Sequence, residues 1–134
     1  MLFKPVIDTV HRPLCGPTAA AILTGVPASR IEKMIRRIRH GFRDTRGRKI
    51  AVRGTYQHEI IRVLKRLGCR VAPFKFTECT AAKFADDVKH AGTFFIRTRG
   101  HFLTCCGGII ADSWRPDGVA AGDYPRARSR VTNA

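Results

Sequence analysis

Long apolar runs and acidic residues are both scarce in this chain of 134 residues. No apolar run approaches the roughly 18 residues that a membrane-spanning helix needs, so no span is expected. The opening residues, MLFKPVIDTVHRP, lack the apolar region and cleavage site of a signal peptide. We therefore expect a cytoplasmic protein whose five cysteines are reduced thiols rather than a disulfide framework.

The shortage of acidic residues leaves a strongly basic protein. Lys and Arg number 25 against 10 Asp and Glu, a formal net charge of +15. Residues 30–53, the basic cluster, hold ten Lys or Arg against only Glu32 and Asp44. This cluster predicts loose, non-specific association with nucleic acid or with an acidic protein, as in a virion or nucleoid. The alternative is a merely solvated basic face, and aromatic residues for base stacking are sparse there.

The length and composition indicate a single domain over residues 1–134. Apolar residues are 44% and charged residues 26%, close to globular averages, and we find neither a repeat nor a long linker. Residues 1–14, punctuated by two prolines, are interpreted as an N-terminal arm. Residues 115–134, rich in Pro, Gly and Arg, are expected to form an irregular basic tail.

The order of local patterns predicts an α+β fold in which N-terminal helices pack on a small antiparallel sheet. Helices are expected over 16–24, over 29–39 with Ser29 as N-cap, after Thr55, and from the Thr80 cap toward Gly92. Strands are expected over 69–76, 93–99, 101–106 and 109–114. Gly107-Gly108 separates two apolar runs and predicts a tight hairpin, because both glycines can adopt positive φ.

Cys15 is the strongest candidate for a reactive side chain. It begins a predicted helix, where unpaired backbone N–H groups and the helix dipole lower the pKa of a thiol and favour the nucleophilic thiolate. Gly16 and Pro17 leave room in front of the sulfur and add no charge. The alternative is a small apolar cysteine in a core, which is the role expected for Cys69 and Cys79.

His101 is the best partner for Cys15, and the hairpin supplies an orienting acid. With Gly107-Gly108 as a two-residue loop, Leu103 pairs with Asp112 and His101 pairs with Trp114. The side chains of His101, Asp112 and Trp114 then project on one face of the sheet. This set suits a Cys-His-Asp triad in which Trp114 shields the pair from water, although an incidental surface pair on a hairpin is the alternative. Gly100 precedes His101 at the expected rim of the pocket.

The segments CGPTAAAILTG (15–25) and GHFLTCCGGIIADSW (100–114) resemble papain-like cysteine peptidases. The resemblance is greatest to the bacterial branch that removes double-glycine leaders during bacteriocin export, and to small phage-encoded relatives. It implies a papain-like fold in a bacterial or phage-infected cell. It further implies Cys15 as nucleophile, His101 as general base and acid, and Asp112 as the acid that orients the imidazole.

The sequence departs from this family at the oxyanion hole. The family carries a Gln six residues before the cysteine, where this chain has Thr9, and no Gln precedes Cys15 at all. The loss of one oxyanion donor costs about 10²–10³ in rate. The backbone N–H of Cys15 is one expected donor, and Thr9 or His11 are candidates to replace the Gln.

Metal binding is not expected. His11 and Cys15, like His101 and Cys105, share a four-residue spacing, but such residues lie about 13 Å apart on a strand, too far for one tetrahedral ion. No cofactor is predicted either.

The sequence thus favours a cysteine peptidase or amide hydrolase acting on a peptide or protein. The alternative is a weak or inactive peptidase-fold protein with a binding or structural role, for example in a virion.

Overall fold

The computed structural model describes residues 6–8, 14–40 and 54–134. The described chain contains four α-helices, namely α1 (Cys15–Thr24), α2 (Ala28–His40), α3 (Gln57–Arg66) and α4 (Ala81–Asp87). Its strands are β1 (Thr93–Thr98), β2 (His101–Cys106), β3 (Ile109–Ala111), β4 (Val119–Ala120) and β5 (Val131–Asn133), with a 3₁₀ turn at Ala121–Asp123. The strands form one antiparallel sheet in the order β4-β3-β2-β1-β5. The predicted α+β class is confirmed.

Helix α1 lies at the centre of the helical layer. Its residues from Gly16 to Ile22 are all buried, and three consecutive alanines let the neighbouring helices and the sheet approach closely. The apolar stripe of α2, which buries Ile31 and Ile35, and that of α3, which buries Ile60 and Val63, pack in the same cluster. The hydroxyl of Thr104 on β2 donates to the Ala19 carbonyl and joins α1 to the sheet.

The other face of the sheet carries a second core around α4. Phe84 of α4 packs with Ile96, Leu103 and Ile110, which lie on β1, β2 and β3. Along β1, Phe94 and Ile96 belong to this core, while Phe95 packs toward α1–α3. Successive side chains of β1 thus point to opposite faces of the sheet, and each face is covered by a different helical layer.

The hairpin between β2 and β3 has the predicted register. Cys106 pairs with Ile109, Cys105 with Ile110, and Thr104 with Ala111. Gly107 and Gly108 adopt φ of 60° and 79°, as a two-residue turn of this kind requires. Strand β3 ends at Ala111, so the prediction of a strand as far as residue 114 was too long. The predicted pairs Leu103–Asp112 and His101–Trp114 are therefore not part of the β2–β3 ladder.

Two sequence predictions about extended segments were wrong. Residues 69–76 form no strand; they run beside the C-terminal residues, where the Phe74 N–H donates to the Ala134 carbonyl. The tail 115–134 is not simply irregular, because it contributes β4, the 3₁₀ turn and β5. Both misses concern segments ordered by partners far away in the sequence, which local composition cannot show.

Two predicted helix caps also need correction. Helix α2 begins at Ala28, and Ser29 is not its N-cap; the Asp8 carboxylate accepts from both the Ser29 N–H (2.9 Å) and its hydroxyl (2.6 Å). Helix α3 follows Tyr56 rather than Thr55, and the Glu59 carboxylate accepts from the Tyr56 N–H at 2.8 Å. The Thr80 cap of α4 is confirmed, since its hydroxyl accepts from the Lys83 N–H at 3.3 Å.

The helices of the described ranges are short. None of them is long and apolar enough to cross a membrane.

Candidate active site

Cys15 is the first residue of α1. Its side chain is half-buried, and its sulfur interacts with the His101 ring and with the backbone N–H groups of Phe102 and Gly16. The predicted helix position of the thiol is therefore correct. Contacts with Phe102 and His101 place the sulfur against the start of β2.

The turn between β1 and β2 delivers His101 to this position. Thr98 pairs with His101 across the two-residue connection Arg99-Gly100, and Gly100 has φ of 70°. Gly100 is therefore a turn residue, needed for its left-handed backbone conformation. His101 itself is 5% exposed, so its ring is held almost completely within the protein.

Asp112 follows β3 directly and is completely buried. Its Oδ2 lies 2.9 Å from Nε2 of His101, which leaves Nδ1 as the ring nitrogen available to Cys15. Its Oδ1 accepts from the backbone N–H groups of Trp114 and Arg115, both at 2.8 Å. The two backbone N–H groups after β3 thus hold the carboxylate in place, and the carboxylate holds the orientation of the imidazole ring.

Tyr124 is a fourth member of this network that sequence reasoning missed. Its hydroxyl donates to Oδ2 of Asp112, and the residue is only 3% exposed. Tyr124 follows the 3₁₀ turn in the tail that was expected to be irregular. No local motif marks it, because its contact depends on how that tail folds back over the sheet.

Trp114 covers the imidazole, as the hairpin argument predicts. The two rings are stacked, with centroids 4.5 Å apart and planes 12° from parallel. The guanidinium of Arg126 lies over the Trp114 ring at 4.4 Å, a cation–π contact. Trp114 remains 36% exposed, so the layered group His101–Trp114–Arg126 forms an outer wall of the site.

The protonation states favour a thiolate–imidazolium pair. Burial opposes ionisation of the Cys15 thiol, but the hydrogen bonds from His101 and Phe102 and the charge of His101 together lower its pKa. Burial also opposes the His101 cation, but its hydrogen bonds with Asp112 and Cys15 raise its pKa to about 9. The two shifts point toward a negative sulfur beside a positive ring near neutral pH.

Asp112 and Tyr124 keep opposite protonation states. Burial raises the pKa of Asp112, yet the hydrogen bonds from His101, Tyr124 and two backbone N–H groups outweigh it and lower the pKa overall. Burial and the hydrogen bond to Asp112 both raise the pKa of Tyr124. Asp112 is therefore a carboxylate and Tyr124 a neutral donor at neutral pH.

The remaining predicted site residues have other positions. Gly16 does not open a pocket: a Cβ there would lie 1.9 Å from Oγ1 of Thr55 and 3.3 Å from Cδ1 of Ile60, so its missing side chain permits close packing. Thr9 and His11, the candidates to replace the family Gln, lie outside the described residues. The same is true of positions 41–53 of the basic cluster.

The other four cysteines lie apart from this network. All five are free thiols; Cys79 and Cys105 are buried, and Cys69 and Cys106 are half-buried. Burial raises the pKa of Cys105 to about 12, with a further contribution from Cys106. Burial raises the pKa of Cys79 as well. No group of three or more His, Cys, Asp or Glu in the described ranges is arranged to hold a metal ion.

The structure thus brings together Cys15, His101, Asp112 and Trp114 from the sequence prediction, and it adds Tyr124 and Arg126. A nucleophilic thiol, a nitrogen base and a buried carboxylate placed beside one another are the groups that acyl transfer requires.

Comparisons of this chain with protein-family models, with curated proteins and with solved structures found no match.

Proposed function

We propose that this protein is a papain-like cysteine peptidase or amide hydrolase whose active site is the Cys15–His101–Asp112 series. The observation that carries the proposal is that the Cys15 thiol interacts with the His101 ring, whose Nε2 lies 2.9 Å from the buried Asp112 carboxylate. A core cysteine beside an incidental surface pair is the alternative, and it does not account for a His101–Asp112 pair that is itself buried.

The reaction follows from the charges in the site. The Cys15 thiolate attacks the carbonyl carbon of an amide bond, and the carbonyl electrons move to the oxygen. The imidazolium of His101 donates its proton to the leaving amine as the carbon–nitrogen bond breaks, which leaves a thioester on Cys15. Neutral His101 then takes a proton from water as the water oxygen attacks the thioester. The carbon–sulfur bond breaks, which releases the carboxylic acid and restores the Cys15 thiolate beside the His101 imidazolium.

Asp112 and its neighbours support this proton transfer without touching the substrate. The carboxylate accepts from Nε2, so the His101 nitrogen that serves Cys15 is Nδ1, and its negative charge favours the imidazolium. Tyr124 and two backbone N–H groups hold that carboxylate in place. Trp114 covers the imidazole and reduces its contact with water.

The backbone N–H of Cys15 is the oxyanion donor that the geometry supports. Residue 15 is the first residue of α1, and N–H groups in the first turn of a helix have no partner within the helix. Such N–H groups stabilise the negative charge that develops on the carbonyl oxygen during attack by the thiolate. A single donor of this kind gives slower turnover than two, so we expect a weak peptidase unless the segment 9–13 supplies the second.

Covalent labelling with a peptide chloromethyl ketone tests the proposal. The reagent presents a peptide-like chain to the site and alkylates the attacking sulfur, and mass spectrometry of the digested protein identifies the modified cysteine. We expect adduct formation at Cys15, and none at that position in Cys15→Ser. New amino termini released from a peptide mixture should disappear in the same variant.

Cys106→Ser is the matched control, because Cys106 is also a half-buried free thiol but packs beside Ile22 and Ala111 rather than against His101. This variant should react at Cys15 as fast as the unmodified chain. Modification of Cys106 at the same rate as Cys15, or an inert Cys15 in folded protein, would contradict the proposed function.

A further inference from the structure

A large groove lies on the α3 side of the sheet, apart from the residues of the candidate active site. It has a volume of about 930 Å³ and runs between α3, the segment 69–74 and β1. We call it the α3 groove. Its size is typical of cavities that bind organic ligands or peptide side chains.

The floor and walls of the α3 groove are apolar and partly open to solvent. Ile61, Val71 and Phe95 are among the side chains that line it. Tyr56 and Phe74 also line it, and they are 68% and 39% exposed. Large apolar side chains that remain exposed beside a concave surface are typical of binding sites.

The charged side chains that line the α3 groove are all basic. Lys65, Arg70 and Arg97 line it, and no Asp or Glu side chain does. All three cations are exposed, and within the described part of the chain no carboxylate forms an ion pair with them. An apolar surface with unpaired cations is complementary to a ligand that combines apolar groups with carboxylates.

The α3 groove is connected to the candidate active site through Phe102. Phe95 stacks on Phe102, with ring centroids 5.2 Å apart, and the Phe102 N–H contacts the Cys15 sulfur. Arg97 pairs with Phe102 across the β1–β2 ladder, one position from the Thr98–His101 pair. Phe102 therefore contacts both a lining residue of the groove and the thiol.

We propose that the α3 groove binds a peptide segment that carries carboxylate side chains beside apolar ones. The inference rests on the proposed function for the identity of this peptide, which is part of the substrate. Apolar residues of the segment contact Ile61, Phe74 and Phe95, and its carboxylates pair with Arg70 and Arg97. The peptidase thus selects acidic, partly apolar sequences through a surface next to the reacting thiol.

Fluorescence anisotropy with short labelled peptides tests this assignment. One peptide alternates Glu with Leu, and a second alternates Glu with Ser. Each is titrated into Cys15→Ser protein, which cannot cleave it. On this background, Arg70→Gln with Arg97→Gln removes two groove cations, whereas Arg30→Gln with Lys33→Gln removes two exposed cations of α2 that do not line the groove. Thermal unfolding verifies that every variant is folded.

The Glu/Leu peptide should bind more tightly than the Glu/Ser peptide. Its affinity should fall about tenfold in the groove variant, since each exposed ion pair accounts for a factor of roughly 1.5 to 5. The α2 variant, with the same net charge, should lose no more than about twofold. Equal losses in both variants, or equal binding of the two peptides, would overturn the assignment, because either result means simple attraction to a basic protein.

Two further outcomes separate this inference from alternatives. A single-stranded RNA that loses affinity only in the groove variant, and competes with the peptide, would assign the groove to nucleic acid and overturn the proposal. Labelling of Cys15 in the unmodified chain is measured separately. A reactive Cys15 without peptide binding refutes the groove alone, whereas selective binding with an inert Cys15 refutes the peptidase and leaves a peptide-binding protein.

Discussion

Replacement of Asp112 by Asn changes the charge at the centre of the hydrogen-bonded network while almost preserving its size. The carboxylate accepts four hydrogen bonds, from His101, Tyr124 and the N–H groups of Trp114 and Arg115. An amide oxygen can keep the two backbone bonds. The amide NH₂ then faces the His101 ring and the Tyr124 hydroxyl, so it favours an imidazole whose proton lies on the wrong nitrogen.

The size of the effect follows from the pKa of His101. That pKa is raised from an ordinary 6.5 to about 9, which corresponds to roughly 3 kcal/mol of preference for the imidazolium. Asp112 and Cys15 share this stabilisation against the cost of burial. If the carboxylate supplies about half, the equilibrium constant that forms thiolate–imidazolium from thiol and neutral imidazole falls by about tenfold. Peptide hydrolysis should fall further, by as much as about 10⁴, as in other triads that lose their acid.

The same shift predicts how stability depends on pH. Because the pKa of His101 is higher in the folded protein than in the unfolded chain, the protonated ring stabilises the fold. This stabilisation is complete below about pH 6.5 and is lost as the pH rises through about 9. Asp112→Asn should reduce this loss because the His101 pKa moves back toward 6.5. NMR titration of the His101 ring and denaturant unfolding at pH 6 and pH 9 measure the two quantities.

Labelling of Cys15 by limiting iodoacetamide, with the melting temperature of the same sample, distinguishes a catalytic from a structural role. Asp117→Asn is the matched control, because Asp117 is an exposed carboxyl five residues further along the same turn region. A large fall in melting temperature with unchanged Cys15 labelling would refute the triad. Unchanged His101 pKa in a folded Asp112→Asn variant would do the same.

Four other predictions concern Tyr124, Cys15, Glu59 and the basic cluster. Tyr124→Phe should destabilise the fold by about 1–2 kcal/mol in denaturant unfolding and raise the pKa of Asp112, moving the acid limb of the labelling profile to higher pH. Cys15 should reach half-maximal labelling at lower pH than the other cysteines, because its pKa is lowered. Glu59→Gln should cost about 1–3 kcal/mol on unfolding, since it removes the buried charge paired with Arg39 at 2.6 Å. Nucleic acid held by the basic cluster should dissociate steeply as salt is raised in anisotropy titrations.

Local signals were sufficient to predict much of the site. The Gly107-Gly108 turn predicts the β2–β3 register, and this register, with the turn that follows Ala111, brings His101, Asp112 and Trp114 together. The start of α1 is equally local, because Gly and Pro follow Cys15 and alanines continue the helix. Each of these features depends on residues within about a dozen positions of one another, the range over which a single sequence is informative.

The parts that sequence reasoning missed depend on distant partners. The Val131 N–H donates to the Cys79 carbonyl and the Phe74 N–H to the Ala134 carbonyl, which orders both the tail and the segment 69–79. The tail is rich in Arg, Pro and Gly and predicts irregular structure, whereas the alternating residues of 69–76 predict a strand. Tyr124 belongs to this group, because its hydroxyl reaches Asp112 only after the tail has folded back.

The candidate site combines a local pair with a long-range contact. His101 and Asp112 are 11 residues apart on one hairpin, so the hairpin brings the base and the acid together by itself. The thiol joins them only when α1 packs on β2, where the Thr104–Ala19 hydrogen bond spans 85 residues of sequence. The Cys15 pKa is lowered by contacts with His101 and Phe102, both on β2, and therefore depends on this packing. An unfolded or undocked chain carries an ordinary thiol, and the reactive thiolate is a property of the fully folded domain.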